Sequence, residues 1–173
     1  MATITPTRMV LNQMKGRLKT ASRGHKLLKD KRDEMMRRLL EQVRRARTLR
    51  QETARMLAAV QAAQSEAAAA LSPVFLAGAL LCPAQTLHLE TQVRSAMGVA
   101  LPTFSLSVQA QPGQPYGYAQ TDGALDEALS RLHAALPKLL ALAEAEKTVH
   151  CMARELEAAR RRANALEYVL IPE

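Results

Sequence analysis

A row of mostly apolar residues, spaced alternately three and four apart, runs without a break from Leu11 to Ala70. A repeat of 3.5 residues held over this length predicts a left-handed coiled coil, because a single straight helix would drift away from it. Aromatic residues make up only 3% of the chain, so the bulky side chains of a wide core are missing. The row, called the first seam below, consists of Leu11, Met14, Leu18, Ala21, His25, Leu28, Arg32, Met35, Leu39, Gln42, Ala46, Leu49, Thr53, Met56, Val60, Ala63, Ala67 and Ala70.

A second helix with the same repeat is predicted after Asp122, which is a suitable N-cap residue. Its row, the second seam, makes it the natural partner of the first helix. Pro137 lies inside this helix and removes one backbone donor, so we expect a kink or a split there. The second seam consists of Leu125, Leu129, Leu132, Leu136, Leu139, Ala143, Glu146, Val149, Ala153, Leu156, Arg160, Ala163, Glu167 and Leu170.

Between the two predicted helices, the apolar residues no longer follow the 3.5-residue repeat. Thr7 can cap the first helix and Ser72-Pro73 interrupts its end, after which a short apolar helix begins. Alternating apolar residues then predict strands over 86–93 and 103–108. The segment 94–102, with its Gly and Pro, is expected to be a loose loop between them.

The predicted fold class is therefore all-α, a long antiparallel left-handed two-helix coiled coil with a small β-hairpin insert between the helices. The expected divisions are 1–71, 72–121 and 122–173. If the two antiparallel helices rise equally per residue, Pro172 lies level with Ala21 and Ser22. Roughly the first 20 residues of the chain then extend beyond the end of the second helix. Their seam is expected to be covered by another chain, or by more of this protein.

The charge is concentrated at one end of the chain. Residues 1–50 hold 15 Lys or Arg and 4 Asp or Glu, whereas the whole chain has a net charge of +8. The sequence predicts acid-first helical pairs between Asp33 and Arg37, Glu34 and Arg38, and Glu41 and Arg45. The remaining positive charge either provides solubility or contacts an acidic surface, and the sequence leaves both interpretations open.

No pattern for catalysis, cofactor binding or metal binding is found in the sequence. A glycine-rich loop followed by Lys and Ser or Thr does not occur, and the histidines are scattered. Adjacent His150 and Cys151 would point about 100 degrees apart on a helix, so they do not form a metal site. We expect a non-enzymatic protein with no cofactor.

A basic helix joined to a heptad repeat is also the mark of a DNA-binding zipper. In such proteins the basic segment lies outside the apolar row, whereas Leu11, Met14 and Leu18 carry the first seam through the basic segment. A free-standing basic coiled-coil scaffold or DNA-binding helical protein is therefore kept only as the alternative.

Three separated blocks of the sequence resemble the D subunits of V-type (A/V-type) rotary ATPases. The first block contains Pro6-Thr7-Arg8, Leu18-Lys19 and residues 23–34, RGHKLLKDKRDE. The second is Met97-Gly98-Val99 with Leu101-Pro102, and the third is residues 161–172, RRANALEYVLIP. The order and spacing of these blocks agree with those of the family over most of the chain.

This resemblance implies a non-catalytic central rotor shaft. In that family the coiled coil stands inside the hexamer of A and B subunits, the F subunit clasps the shaft, and a funnel-shaped C-type (or d-type) subunit joins it to the membrane ring. The shaft couples ATP hydrolysis or synthesis to proton or sodium transport. The chain would then be cytoplasmic and peripheral to the membrane through its complex, with no nucleic-acid partner.

The resemblance and the seam together suggest two sets of partner-binding residues. The set expected to face the A/B hexamer is Arg8, Leu11, Met14, Leu18, Arg160, Arg161, Arg162 and Asn164. The set expected in the hairpin region is Met97, Gly98, Val99 and Pro102. Members of the family usually continue beyond the Ile-Pro pair, so a naturally short member and a truncated chain are both compatible with the stop at Glu173.

Overall fold

The computed structural model describes residues 7–81, 85–110, 116–117 and 121–172. Three α-helices are formed, α1 (Arg8–Ala70), α2 (Pro73–Ala79) and α3 (Gly123–Ala165), and α3 is followed by a π-helical turn at Leu166–Leu170. Strands β1 (Gln85–Ala96) and β2 (Val99–Ala110) lie between α2 and α3 and pair antiparallel. The predicted long helix and the small two-stranded sheet between helices are confirmed.

Side-chain caps define the helix boundaries that the sequence predicts. The Val10 N–H donates to Thr7 Oγ1 at 3.3 Å, which satisfies one free donor at the start of α1. Ser72 Oγ accepts from the Phe75 N–H at 3.3 Å, and Pro73 occupies the first turn of α2, where its missing N–H costs nothing. Asp122 directly precedes α3.

The chain forms two compact units. Unit 1 contains Met1–Glu41 and His150–Glu173, and unit 2 contains Gln42–Val149. In unit 1, Met35 of the first seam is fully buried, and Leu28 and Leu39 are half-buried. His25 Nε2 lies 3.4 Å from Glu167 Oε2, so α1 and the π-helical turn are in contact. The residues that α3 buries in this unit are Met152, Leu156, Ala159 and Ala163.

In unit 2, three polar contacts link α1 to α3. Arg50 Nη2 lies 2.6 Å from Glu146 Oε1, and Lys138 Nζ lies 3.0 Å from Glu52 Oε2. Arg131 Nη1 donates to the Ala59 carbonyl at 3.2 Å. Residues with higher numbers on α1 contact residues with lower numbers on α3, so these two helix segments run antiparallel. The buried members of the first seam here are Thr53, Val60, Ala63 and Ala67.

The hydrophobic cluster near the end of α1 brings in α2. Ala67, Ala79 and Leu125 are its buried members, and half-buried Leu71 and Leu76 pack against it. The short helix that Pro73 starts therefore folds back onto the junction of α1 and α3 within unit 2. This contact fixes where the chain leaves α1.

The predicted second seam is wrong by one residue over much of α3. Ala128, Ala135 and Ala159 are buried, whereas the predicted members beside them, Leu129, Leu136 and Arg160, are half-buried or exposed. Alanine at the contact lets neighbouring backbones approach closely, and larger side chains then flank the contact. Leu125, Leu156 and Ala163 of the predicted row are buried, so the pattern was right at these positions and one residue away from the buried row at the others.

A split of the second helix at Pro137 is not found. α3 continues through this residue from Gly123 to Ala165. Pro inside a helix costs roughly 3 kcal/mol in an isolated helix. Contacts on both sides, from Arg131 to Ala59 and from Lys138 to Glu52, link this part of α3 to α1.

The predicted loose loop over 94–102 is also wrong. The strands continue to Ala96 and from Val99, and these two residues pair across the ladder, which leaves a two-residue turn. Met97 has a φ of 57° and Gly98 a φ of 79°, and positive φ at both central residues is what a type I′ hairpin turn requires. Pro102 lies within β2 opposite Val93.

We expect Gly98→Val to destabilise the hairpin by about 1–2 kcal/mol, because a β-branched residue is strained at positive φ. Hydrogen exchange of the β1 and β2 amides measures this as a lower free energy of local opening. Met97→Asn is the matched control, since Asn tolerates positive φ, and it should leave the opening free energy unchanged or raise it. Equal protection in the Val variant and the parent chain would contradict the turn assignment.

Candidate partner-binding surfaces

The start of α1 carries an apolar surface that unit 1 does not cover. The first three members of the first seam, Leu11, Met14 and Leu18, are 54%, 37% and 49% exposed. The next members, Ala21 and His25, are half-buried. The first three members of the seam are therefore more exposed than the two that follow them.

A further exposed apolar group in unit 1 was missed by the sequence analysis. Tyr168, Val169 and Leu170 are all at least half exposed and lie on the π-helical turn. Ile171 N–H donates to the Leu166 carbonyl at 3.0 Å, the i to i+5 bond of a π-helix. The π-helical turn contains one more residue than an α-helical turn, so the side chains after it no longer lie on the row of the preceding α-helix. A 3.5-residue pattern in the sequence does not reveal such a change.

The polar and charged residues of the set proposed to face the A/B hexamer differ in whether they form ion pairs within the chain. Arg8, Arg160 and Asn164 are exposed. Arg161 Nη1 lies 3.2 Å from Glu157 Oε1, and Arg162 Nη1 lies 3.3 Å from Glu155 Oε1. Within the described part of the chain, Arg8 and Arg160 form no ion pair, so their positive charges are not compensated there.

Glu34 is the centre of a small charge cluster on α1. Its carboxylate accepts from Arg38 Nε at 2.7 Å and from Arg37 Nη2 at 2.6 Å. The predicted pair of Glu34 with Arg38 is confirmed, but Arg37 pairs with Glu34 instead of Asp33, which lies 2.8 Å from Arg32. The predicted pair of Glu41 with Arg45 is not found among the described ion pairs. Hydrogen bonds from Arg38 and Arg37 lower the pKa of the Glu34 carboxyl group.

The sign of this shift predicts an acid-sensitive contribution to stability. Because the pKa of Glu34 is lower in the folded chain than in the unfolded one, the contribution is present at neutral pH and is lost as the pH falls through the folded value. Thermal unfolding followed by circular dichroism should show a smaller loss of stability on acidification for Glu34→Gln than for the parent. Glu41→Gln is the control and should keep the parental pH dependence; an unchanged profile for Glu34→Gln would refute the assignment.

The hairpin set divides into surface and interior residues of unit 2. Gly98 is exposed, and Met97 and Pro102 are half-buried. Val99 is only 6% exposed, and Leu101 is buried as well. The Phe104 N–H donates to Glu144 Oε2 at 3.2 Å, so this part of β2 lies beside α3. Val99 is therefore part of the packing that holds the hairpin.

A shallow cleft of about 320 Å³ lies beside α2 in unit 2. Its lining includes Val74 and Phe75, whose side chains are exposed, and Tyr116. The Tyr116 hydroxyl donates a hydrogen bond to the Asp126 carboxylate in the first turn of α3.

No three His, Cys, Asp or Glu side chains within the described ranges are grouped closely enough to hold a metal ion. None of the helices described is both long and apolar enough to cross a membrane.

Long helices with exposed apolar and basic surfaces are typical of components of larger assemblies. The sequence pattern of the family of ATP synthase D subunits matches residues 10–173. The D subunit of the V-type ATP synthase of Clostridium botulinum (strain ATCC 19397 / Type A) is 41% identical over 174 residues, covering 98% of this chain and 81% of the relative. The corresponding protein of Clostridium novyi (strain NT) is 42% identical with the same coverage.

A third relative, the V-type ATP synthase D subunit of Acetivibrio thermocellus, is 41% identical over 173 residues, which are 98% of this chain and 78% of the relative. The chain therefore belongs to the family of ATP synthase D subunits, of the V type.

Proposed function

We propose that the chain is the non-catalytic central rotor shaft of a V-type ATPase or ATP synthase. It would couple ATP hydrolysis or synthesis in a hexamer of A and B subunits to rotation of a membrane ring and to transport of protons or sodium ions. The observation that carries this proposal is the similarity over nearly the whole chain to V-type D subunits. The chain itself supplies no catalytic group and no cofactor in this role.

Within each unit, α1 and α3 form an antiparallel left-handed coiled coil in this proposal. The support is the burial of the first seam, from Met35 in unit 1 to Ala67 in unit 2. Contacts in unit 2 between Arg50 and Glu146 and between Lys138 and Glu52 run in the antiparallel order. Paired helices resist twisting and bending better than one helix, which is the mechanical requirement of a shaft.

The exposed start of the first seam is the surface proposed to face the A/B hexamer. Leu11, Met14 and Leu18 are apolar residues that water would otherwise cover, and burying them against a collar is favourable by about 25 cal/mol per Å². The basic side chains around them add electrostatic complementarity to an acidic collar. The full proposed set is Arg8, Leu11, Met14, Leu18, Arg160, Arg161, Arg162 and Asn164.

The hairpin region is proposed to lie beside the F subunit, and the C-type (or d-type) subunit is proposed to connect the chain to the membrane ring. The hairpin residues in question are Met97, Gly98, Val99 and Pro102. The protein would then be cytoplasmic and peripheral to the membrane through its complex, without a nucleic-acid partner. Asymmetry of the turning shaft would bring each A/B interface in turn through its nucleotide states.

Association with purified A and B subunits of the same complex tests the proposed function directly. We expect the full chain to be retained by the assembled A/B ring and to be retained by the F subunit without the ring. Binding to neither would overturn the proposal. Salt-dependent binding to duplex DNA in the absence of ring binding would favour the basic coiled-coil or DNA-binding alternative instead.

Replacing Leu11, Met14 and Leu18 together by Ser should weaken association with the A/B ring at least about tenfold, because the overhanging seam loses its apolar contacts. Binding is measured by titration of the ring, and circular dichroism should show nearly parental helix content. Leu27→Ser is the matched control, because Leu27 is 69% exposed on the same helix but lies outside the first seam. A large loss of helix in the triple variant would show that these residues are paired inside the chain.

A further inference from the structure

The row of residues that α3 buries in unit 1, called the α3 row below, changes its spacing at the π-helical turn. The buried members of the α3 row are Met152, Leu156, Ala159 and Ala163. They lie four, three and four residues apart, which is the spacing of a helix that packs along one side. Half-buried Leu166 continues the row after three residues, but the next half-buried residue is Ile171, five residues further on. Five residues is the spacing of one π-helical turn.

An α-helical turn at this place would put a different residue in the row. Continued in the same alternation of four and three residues, the α3 row would pass from Leu166 to Leu170, which is also a member of the predicted second seam. Leu170 is instead 59% exposed. Because Leu170 and Ile171 are both large apolar side chains, either one can fill the position, and hydrophobicity does not select between them. The register of the turn determines which of the two is covered.

One side-chain contact connects this turn to α1. His25 Nε2 lies 3.4 Å from Glu167 Oε2, and the His25 side chain is 22% exposed, so the contact is partly shielded from water. Glu167 is the second residue of the π-helical turn, so the direction of its side chain depends on the register of that turn. Among the ion pairs of the described residues, this pair alone joins α1 to the turn.

We propose that the contact between His25 and Glu167 holds the turn in the π-helical register, and that the turn converts to α-helix when the contact is lost. A single π-helical turn within an α-helix is rare, so it needs a contact that favours it over the α-helical register. Conversion would rotate the following side chains by about 100 degrees, the angle of one residue on an α-helix. Leu170 would then enter the α3 row and Ile171 would leave it, so the contact determines which apolar side chain is exposed.

The solvent exposure of the Leu170 side chain measures the register of the turn. In the full chain with labelled leucine and isoleucine methyl groups, a soluble paramagnetic agent relaxes each methyl resonance according to its exposure. Leu27, which is 69% exposed, and Leu156, which is 9% exposed, provide the exposed and buried reference values within unit 1. In the parent chain the relaxation of the Leu170 methyl groups should resemble that of Leu27.

His25→Ala and Glu167→Ala each remove one partner of the contact. In both variants we expect the relaxation of the Leu170 methyl groups to fall toward the value of Leu156, and that of Ile171 to rise. The double variant should give the same values as each single variant, because substitutions that break one shared contact are not additive.

Glu157→Ala is the matched control. Glu157 is an exposed carboxylate on the same helix, and its ion pair with Arg161 lies within α3. Its removal should leave Leu170 at the parental value. The Leu156 methyl groups report on folding, since they should stay protected in every variant. If His25→Ala exposes them, His25→Leu takes its place, because leucine fills the seam position but offers no partner to Glu167.

Three results would overturn the inference. Parental relaxation of Leu170 in the His25 variant would show that the contact does not set the register. A response to Glu167→Ala alone would be an effect of alanine on helix propensity. Increased relaxation of both Leu170 and Ile171 would show that the turn unfolds when the contact is lost instead of changing its register.

Discussion

The contact between α1 and α3 within each unit is the constraint on which the rest of the structure depends. It is made largely through small side chains, with Ala63 and Ala67 buried on α1 and Ala128 and Ala135 buried on α3 in unit 2. Alanine contributes little apolar area by itself, but it lets two helices pack closely, and flanking Leu and Met side chains then cover the contact. Aromatic residues make up only 3% of the sequence, so few bulky side chains are available to compensate for a lost contact. The stability of each unit is thus spread along the helices.

The polar residues within the first seam have separate local explanations. Thr53 is almost completely buried, and its hydroxyl donates to the Leu49 carbonyl at 2.7 Å, so its polar atom is satisfied without the partner helix. His25 faces Glu167 of the π-helical turn. Arg32 reaches sideways to Asp33 and stays half-buried. Of these three residues only His25 has its partner outside α1, so only this contact can oppose sliding of α1 along the neighbouring chain segment.

The sequence was sufficient for α1 and insufficient for the details of α3 and the hairpin. The 3.5-residue repeat, Thr7 and Ser72-Pro73 together predicted the length and ends of α1, since each acts locally along the chain. The row that α3 buries depends on which helix face meets α1, and leucines next to the alanines misled the pattern. The Met97-Gly98 turn was missed because Met rarely adopts positive φ, and Pro102 was taken as a loop signal although a two-stranded sheet has free edges that tolerate proline.

Among the candidate surfaces, too, one feature could be predicted from the sequence and another could not. The sequence places Leu11, Met14 and Leu18 in the first seam, and the structure leaves all three at least one third exposed. The outward backbone groups of the hairpin could not be predicted, because alternation in a sequence tells which face a side chain occupies but not which N–H and C=O groups point away from the partner strand. That information comes from the turn, which sets the outward residues, and from Glu144, which binds the Phe104 N–H from another element. Pro102 and Glu144 remove or occupy two neighbouring outward donors of β2, at positions 102 and 104, and the other outward positions of β2 are not affected.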